Sequence, residues 1–239
     1  MQRRGIAASA ALATGAAIAG MCWAVRGRSS AVFGPSVWRG QPGRKAMALT
    51  FDDGPGAGTV EILKILARYG VPATFFQCGQ NVRRTPEISH WIRVSGHEIG
   101  NHSHTHPNCA LELPSFIETE FRLAQEAIGE ATGNAPVLLR APYGVRWFGF
   151  GQMQERLGLT GVMWSVLGRD WKLPAAAIAD RVVSGAQDGA IVCLHDGRGM
   201  LKDPDISSTI EAVRRIVPEL LEKGYRLETV SQLLCPTTN

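Results

Sequence analysis

From residue 45 onward the apolar positions switch repeatedly between two periods. Short apolar runs at 46–51, 73–76, 97–99, 137–139, 161–166, 190–194 and 226–230 have the length and composition of strands. Between them the pattern turns helical. Leu63, Leu66 and Ala67 share a face of a helix predicted over 60–69, which Gly70 stops. A second helix opens at Pro86 and ends by Gly96. Ser115 and Glu118 spell a capping box for a third, running to about residue 131. Further helices are predicted at 149–157 and 174–185. A last long one is capped by Asp205 or Ser207 and ended by Gly224.

Seven strands separated by helices imply a parallel sheet with helices outside it. An open doubly wound sheet and a closed barrel both fit that alternation, and the polar residues help to choose. Asp52 and Asp53 follow the first strand, a histidine cluster the third and Arg140 the fourth. Asp170 lies beyond the fifth, and His195 ends the sixth. An open sheet gathers its ligand at one switch point. Polar groups from so many strand ends meet more readily around an axis. The expectation is a single α/β catalytic domain built as a TIM-like barrel.

Charge changes the picture upstream of residue 45. Of the 239 residues, the first 45 hold seven basic side chains and no acidic one. The formal net charge of +4 therefore hides a remainder with 18 basic and 21 acidic residues, a net of −3. That balance argues against a nucleic-acid partner. Arg3 and Arg4 precede an uncharged Ala/Gly-rich stretch over residues 5–25, of a length that spans a bilayer. Residues 1–31 read as a signal peptide or a membrane anchor, 32–44 as a linker and 45–235 as the domain, exported to the cell envelope or periplasm or tethered to a membrane. The five cysteines show no metal-type spacing. Cys193 lies in an apolar run as a buried thiol, and Cys109 is a weak candidate ligand beside the histidines.

Each chemical candidate has a bland counterpart. Asp52 and Asp53 leave an apolar strand and meet Gly54-Pro55. Neighbouring side chains on extended backbone point to opposite sides, so one carboxylate would bind a metal and the other act as a base. Two solvated aspartates in an Asx turn are the plain alternative. His102 and His106 are four residues apart, which brings their imidazoles to one face of a helix or tight turn, with His104 turned elsewhere. A carboxylate and two histidines leave a metal with open positions for hydrolysis. Arg140-Ala141-Pro142-Tyr143 sets a cation and a stiff turn at a strand end, where a backbone N–H could face an oxyanion. His195 could serve as a general acid. Asp170 could orient a histidine, and Trp171 could line a sugar site. His97 reads as structural and His90 as surface.

In this order the five pieces resemble the polysaccharide deacetylase family with the NodB-homology domain, carbohydrate esterase family 4, over residues 45–234. Its first motif is matched by Thr50-Phe51-Asp52-Asp53-Gly54-Pro55 and its second by His102-Ser103-His104-Thr105-His106. Its third is matched by Arg140-Ala141-Pro142-Tyr143 and its fourth by Asp170-Trp171. In the fifth, Leu-x-His, Cys193 stands where the family has Leu, before His195. The resemblance implies a distorted (β/α)7 barrel. It implies that Asp53, His102 and His106 hold one divalent metal ion, commonly zinc, with cobalt, nickel, manganese or iron as alternatives. Asp52 would be the base, held by Arg140. The backbone N–H of Tyr143 would face the oxyanion. His195 would be the acid, tuned by Asp170, with Trp171 beside the acetyl group or sugar.

The function implied is removal of acetyl groups, N-acetyl foremost and O-acetyl as the alternative, from a polysaccharide such as peptidoglycan or a chitin-like glycan. An amide hydrolase acting on a small non-glycan substrate and a catalytically silent glycan-binding relative are the rival readings. The silent relative predicts broken catalytic positions, and Asp52, Asp53, His102, His106, Arg140 and His195 are all present.

Overall fold

The computed structural model describes the backbone of residues 2–235 and the side chains of residues 14–235. Helix α1 (Gln2–Arg26) precedes strand β1 (Ser36–Val37). The chain continues through β2 (Ala46–Asp52), α2 (Ala57–Tyr69), β3 (Thr74–Gln77), α3 (Gly79–Arg84), α4 (Pro86–Val94) and β4 (Glu98–Asn101). Next come α5 (Pro114–Thr132), β5 (Leu138–Leu139), α6 (Phe150–Leu157), β6 (Thr160–Val162), β7 (Val166–Leu167) and α7 (Ala175–Ser184). The last elements are β8 (Ile191–His195), α8 (Ser207–Glu222), β9 (Arg226–Leu227) and α9 (Val230–Leu234).

The strands form one sheet in the order β1-β6-β5-β4-β3-β2-β8-β7, with β9 beside β2, and every strand pair is parallel. Strands β2 to β8 trace the expected distorted (β/α)7 barrel. Its seam lies between β6 and β7, which do not pair among the described residues. The chain itself crosses that gap through Met163, Trp164 and Ser165.

The seam explains two differences from the predicted elements. The single strand expected over 161–166 is two strands, because the chain must step from one side of the opening to the other. The strand expected over 226–230 is not a barrel stave. Only Arg226 and Leu227 pair, with Ala46 and Met47, before β3 joins β2 further along at Thr50. Thr229 then caps α9, its side chain accepting from Gln232 N–H.

Other boundaries shift for local reasons. The stretch 32–44, expected as a linker, carries β1, and Arg39 bridges to Ala190. The capping box at Ser115 does not form. Pro114 occupies the first helical turn of α5, and Glu118 pairs instead with Arg156. Ile206 occupies the cap position of α8, and Asp205 accepts a hydrogen bond from Ser207 N–H. Helix α2 ends as predicted, at Gly70 in the left-handed conformation (φ 62°).

All of β2 is buried, as a parallel strand covered on both faces must be. Met47, Leu49 and Phe51 point outward into the layer under α2 and α8, beside Ile62, Leu66, Val213 and Ile216. Ala46 and Ala48 point inward and meet Val230 and Leu233 of α9, which closes the bottom of the barrel. The same alternation sends Thr50 and Asp52 inward, toward the open end. Each fully buried Phe, Leu or Ile contributes roughly 1.5–3 kcal/mol to holding this arrangement.

The arginines Arg3 and Arg4 of the expected leader fall among residues whose side chains are not described. Among the described residues no helix is long and apolar enough to cross a membrane.

Candidate active site

Residues from five strand ends meet in a cleft of about 620 Å³ at the C-terminal end of the barrel. Asp52 ends β2 and lies in register with His195 at the end of β8. His102 follows β4, Arg140 follows β5 and Asp170 follows β7. This is the end where barrel loops carry chemistry.

Asp53 departs from the extended geometry expected for it. Its φ is 80°, so the chain turns there and both carboxylates reach the same cleft. The turn is pinned from several sides. Gly54 N–H donates to Asp196 Oδ1 (3.0 Å), and Thr59 Oγ1 donates to Asp196 Oδ2 (2.6 Å). Asn81 Nδ2 donates to the Asp53 carbonyl (2.7 Å), and Gly199 N–H donates to Asp53 Oδ2 (2.9 Å). Burial is the main reason the Asp196 carboxyl is pushed up to about 7. The Thr59 and Gly54 hydrogen bonds pull it down, while the Asp53 charge adds to the rise.

Asp53 Oδ1 is buried and has no hydrogen-bond partner, yet His102 Nε2 lies 3.3 Å away and His106 Nε2 3.1 Å away. His102 shows why. Its Nδ1 lies 2.8 Å from the Arg140 carbonyl, which can only accept, so the proton sits on Nδ1 and Nε2 presents a lone pair to Asp53. Lone pairs converging on one point are the donor set of a cation. These three residues fit a divalent metal ion. The spacing of His102 and His106 works through a loop rather than a helix, with Ser103 (φ 67°) and His106 (φ 57°) in left-handed conformations.

Arg140 is fully buried beneath the cleft. Its Nη1 donates to Asp52 Oδ1 (2.6 Å) and to Thr50 Oγ1 (2.7 Å). The rest of the guanidinium is engaged by the Val162 and Met163 carbonyls, and its face lies 4.1 Å from the Phe76 ring centre. Asp52 Oδ2 is left to the cleft side, 3.5 Å from the Cys193 thiol and 4.0 Å from His102 Nε2. Burial first, then the Asp52 charge, drives the Cys193 thiol well above its ordinary range, so it remains a protonated donor. Asp52, Cys193 and His195 also lie close enough together to be ligands, but Arg140 already compensates Asp52.

His195 stands opposite. Its Nδ1 pairs with Asp170 Oδ1 (2.8 Å), while Asp170 Oδ2 accepts from His195 N–H (2.9 Å) and Thr209 Oγ1 (2.7 Å). Burial works against charging the imidazole, but Asp170, with help from Asp53 and Asp52, raises it to about 9. Asp170 is lowered in turn, with burial opposing and His195 and Thr209 prevailing. The Trp171 ring stands edge-on to His195 (5.2 Å) and the Tyr143 ring edge-on to His106 (4.7 Å), each about half exposed. Tyr143 has a φ of 57°, and its N–H has no acceptor among the described residues.

The structure thus brings the acidic pair Asp52 and Asp53, His102, His106, Arg140, Tyr143, Asp170, Trp171 and His195 to one cleft. His97 is structural, its Nδ1 accepting from Ala73 N–H, and Cys109 lies in a separate apolar cluster. Sequence reasoning missed Thr50, Asn81, Asp196 and Thr209 as supports. Thr50 and Asp196 lie inside or beside the motifs, whereas Asn81 and Thr209 come from helices with no local signal.

With the geometry in view, comparison with known proteins is direct. The family model for polysaccharide deacetylase matches residues 39–162. The chain is 35% identical over 200 residues to a chitooligosaccharide deacetylase of Bradyrhizobium sp. (strain ANU 289), covering 80% of this chain and 91% of that protein. It is 36% identical over 201 residues to a peptidoglycan-N-acetylglucosamine deacetylase of Bacillus cereus, covering 82% and 92%. A crystal structure of a peptidoglycan N-acetylglucosamine deacetylase superposes with a TM-score of 0.77 at 30% identity, covering 82% of this chain and 91% of that one. A CE4-family pseudoenzyme from Bacillus anthracis superposes at 0.76 with 29% identity, covering 84% and 69%. The chain belongs to the polysaccharide deacetylase family. These are hydrolases of carbon–nitrogen bonds that work with a divalent metal.

Proposed function

We propose that the protein removes the acetyl group from N-acetylglucosamine units of peptidoglycan in the cell envelope, using a zinc ion held by Asp53, His102 and His106. The observation that carries this reading is the orphaned Asp53 Oδ1 facing two imidazole nitrogens, with Asp52–Arg140 on one side and His195–Asp170 on the other. Similarity to a peptidoglycan-N-acetylglucosamine deacetylase and the basic, Ala/Gly-rich leader support the substrate and the location.

A divalent cation at the three ligands supplies Lewis acidity for the acetyl carbonyl and makes a water easier to deprotonate. Asp52, fixed through Oδ1 by Arg140, takes the proton of the attacking water. The unpartnered N–H of Tyr143 donates to the oxygen that gains charge as water adds to the carbonyl. His195 is held through Nδ1 by Asp170, which leaves Nε2 to protonate the sugar nitrogen as the C–N bond breaks. Acetate and a free amine result. The Trp171 and Tyr143 rings, half exposed on either side, offer apolar faces to the sugar and the acetyl methyl.

Unlike a silent glycan-binding relative, this chain keeps a complete set of base, acid and metal-ligand side chains in one cleft. The test is acetate release from N- and O-acetylated glycans by the purified protein. Peptidoglycan should release acetate, a chelator should stop it, and zinc should restore it. His102→Ala and His106→Ala should purify without bound metal. Undiminished turnover in chelator, or full metal content in both variants, would overturn the assignment.

A further inference from the structure

The residues between α1 and β1 are not a free tether. Arg146 is buried, and this segment takes both of its terminal nitrogens, Nε alone having no partner: Nη2 donates to the Gly27 carbonyl (2.5 Å), and Nη1 donates to the carbonyls of Ser30 (2.7 Å) and Gly34 (3.1 Å) and to Ser36 Oγ (3.2 Å). Arg146 N–H also donates to the Val25 carbonyl (3.0 Å). Ser30 is buried and its Oγ donates to the Ala24 carbonyl, folding the segment on itself. Arg28 adds a second fastening, donating to the Ser165 carbonyl and lying 4.6 Å over the Trp38 ring. A buried guanidinium ringed by main-chain carbonyls fixes a strap in place, because releasing the strap strands the charge.

Held this way, the strap carries Arg26 into the wall of the active-site cleft, with Tyr143, Trp171, His195 and Arg198. The cleft's two carboxylates, Asp52 and Asp53, are buried at its floor, the first paired with Arg140 and the second facing two histidines. Above them the charged lining residues are Arg26, Arg198 and the protonated His195. Arg198 already rests on the Gly197 and Asp170 carbonyls and lies 3.8 Å from the Asp170 carboxylate. Arg26 is exposed and has no acceptor among the described residues. An exposed cation in the lining of a cleft, with no ion pair among the described residues, favours an anionic ligand.

We propose that the strap of residues 24–36 holds Arg26 in a fixed place in the wall of the substrate cleft and that Arg26 binds a carboxylate carried by the glycan next to the N-acetyl sugar. This names a substrate class for the site and rests on the deacetylase reading above. The carboxylate could belong to a sugar lactyl group or to a peptide attached to it, so both are tested. Acetate release by the 239-residue chain is compared on three oligomers of equal length. One is a neutral chitooligosaccharide, one bears free lactyl carboxylates, and one bears stem peptides in their place.

The readout is the ratio of kcat/KM on each anionic oligomer to that on the neutral one. Arg26→Ala should lower it about fivefold through KM, the scale of an exposed ion pair. Arg26→Glu should lower it further, and added salt should shrink both effects. The anionic oligomer whose ratio moves identifies the carboxylate. If the wild type releases acetate but both variants keep its ratios on both anionic substrates, the inference is overturned and the deacetylase reading stands. If the wild type releases acetate from none of the three, the deacetylase reading fails, and this inference with it.

Discussion

At the scale of single residues, the site is a set of pairs in which one member fixes what the other does. His102 is a usable ligand because Arg140's carbonyl takes its other proton, and Asp52 is aimed because Arg140's side chain takes one of its oxygens. His195 is the sharpest case. It must be protonated to act as an acid, and its imidazole is raised to about 9 against the opposing effect of burial, chiefly by Asp170. A raised value means the proton is held below about 9 and lost as pH rises through it. The alkaline limb of kcat/KM should therefore report this group. Asp170→Asn removes the charge that supports the proton, so that limb should move to lower pH while metal content stays unchanged. An alkaline limb that stays in place would show that His195 is not the acid. His195→Ala should keep its metal and lose about 10²–10⁴-fold in turnover. Residues of this kind were legible in the sequence because their chemistry has few substitutes. Thr209, which holds the far oxygen of Asp170, was not, since a threonine in a helix looks the same whatever it touches.

At the scale of elements, backbone conformation rather than periodicity decides what reaches the cleft. Extended geometry would have sent Asp52 and Asp53 to opposite faces. The left-handed turn at Asp53 is what brings them together, and no hydrophobic pattern encodes it. Gly54 is the residue that admits this turn against its support. A Cβ there would lie 2.1 Å from Asp196 Oδ2, within the pair of hydrogen bonds that pins the loop. Gly54→Ala should displace Asp196, cost about 1–3 kcal/mol of stability by overpacking, and lower metal affinity more than it lowers the melting temperature would suggest. Calorimetric zinc titration beside thermal unfolding separates the two, and unchanged affinity would place the loop's support elsewhere. Two of the elements misread from the sequence share a cause. The strand split at 163–165 and the two-residue β9 are set by tertiary partners, a seam and an edge of β2 left vacant before β3 begins, while the start of α5 is set locally by the proline in its first turn.

At the scale of the whole molecule, the barrel's axis is filled from both ends. Small residues of β2 receive α9 from below, and Arg140 spans the upper half, so the catalytic carboxylate is attached to the core itself. The strap around Arg146 extends the same device outside the barrel, and it lies across the boundary that charge and hydropathy suggested between leader and linker. If residues 1–31 were dispensable, a chain beginning at residue 32 would be as stable as the full one. The structure predicts otherwise. Such a chain lacks the carbonyls of Gly27 and Ser30, two of the acceptors on a buried guanidinium, while keeping Gly34 and Ser36. Water reaches the vacated side, so the cost is less than two full charged hydrogen bonds and should be about 2 kcal/mol. In a chain of this length that lowers the melting temperature by roughly 4–8 °C. Arg146→Met should narrow the gap between the two chains, because the uncharged side chain no longer needs those acceptors. Equal melting temperatures for the full and shortened proteins would show that the strap rests on the domain without supporting it.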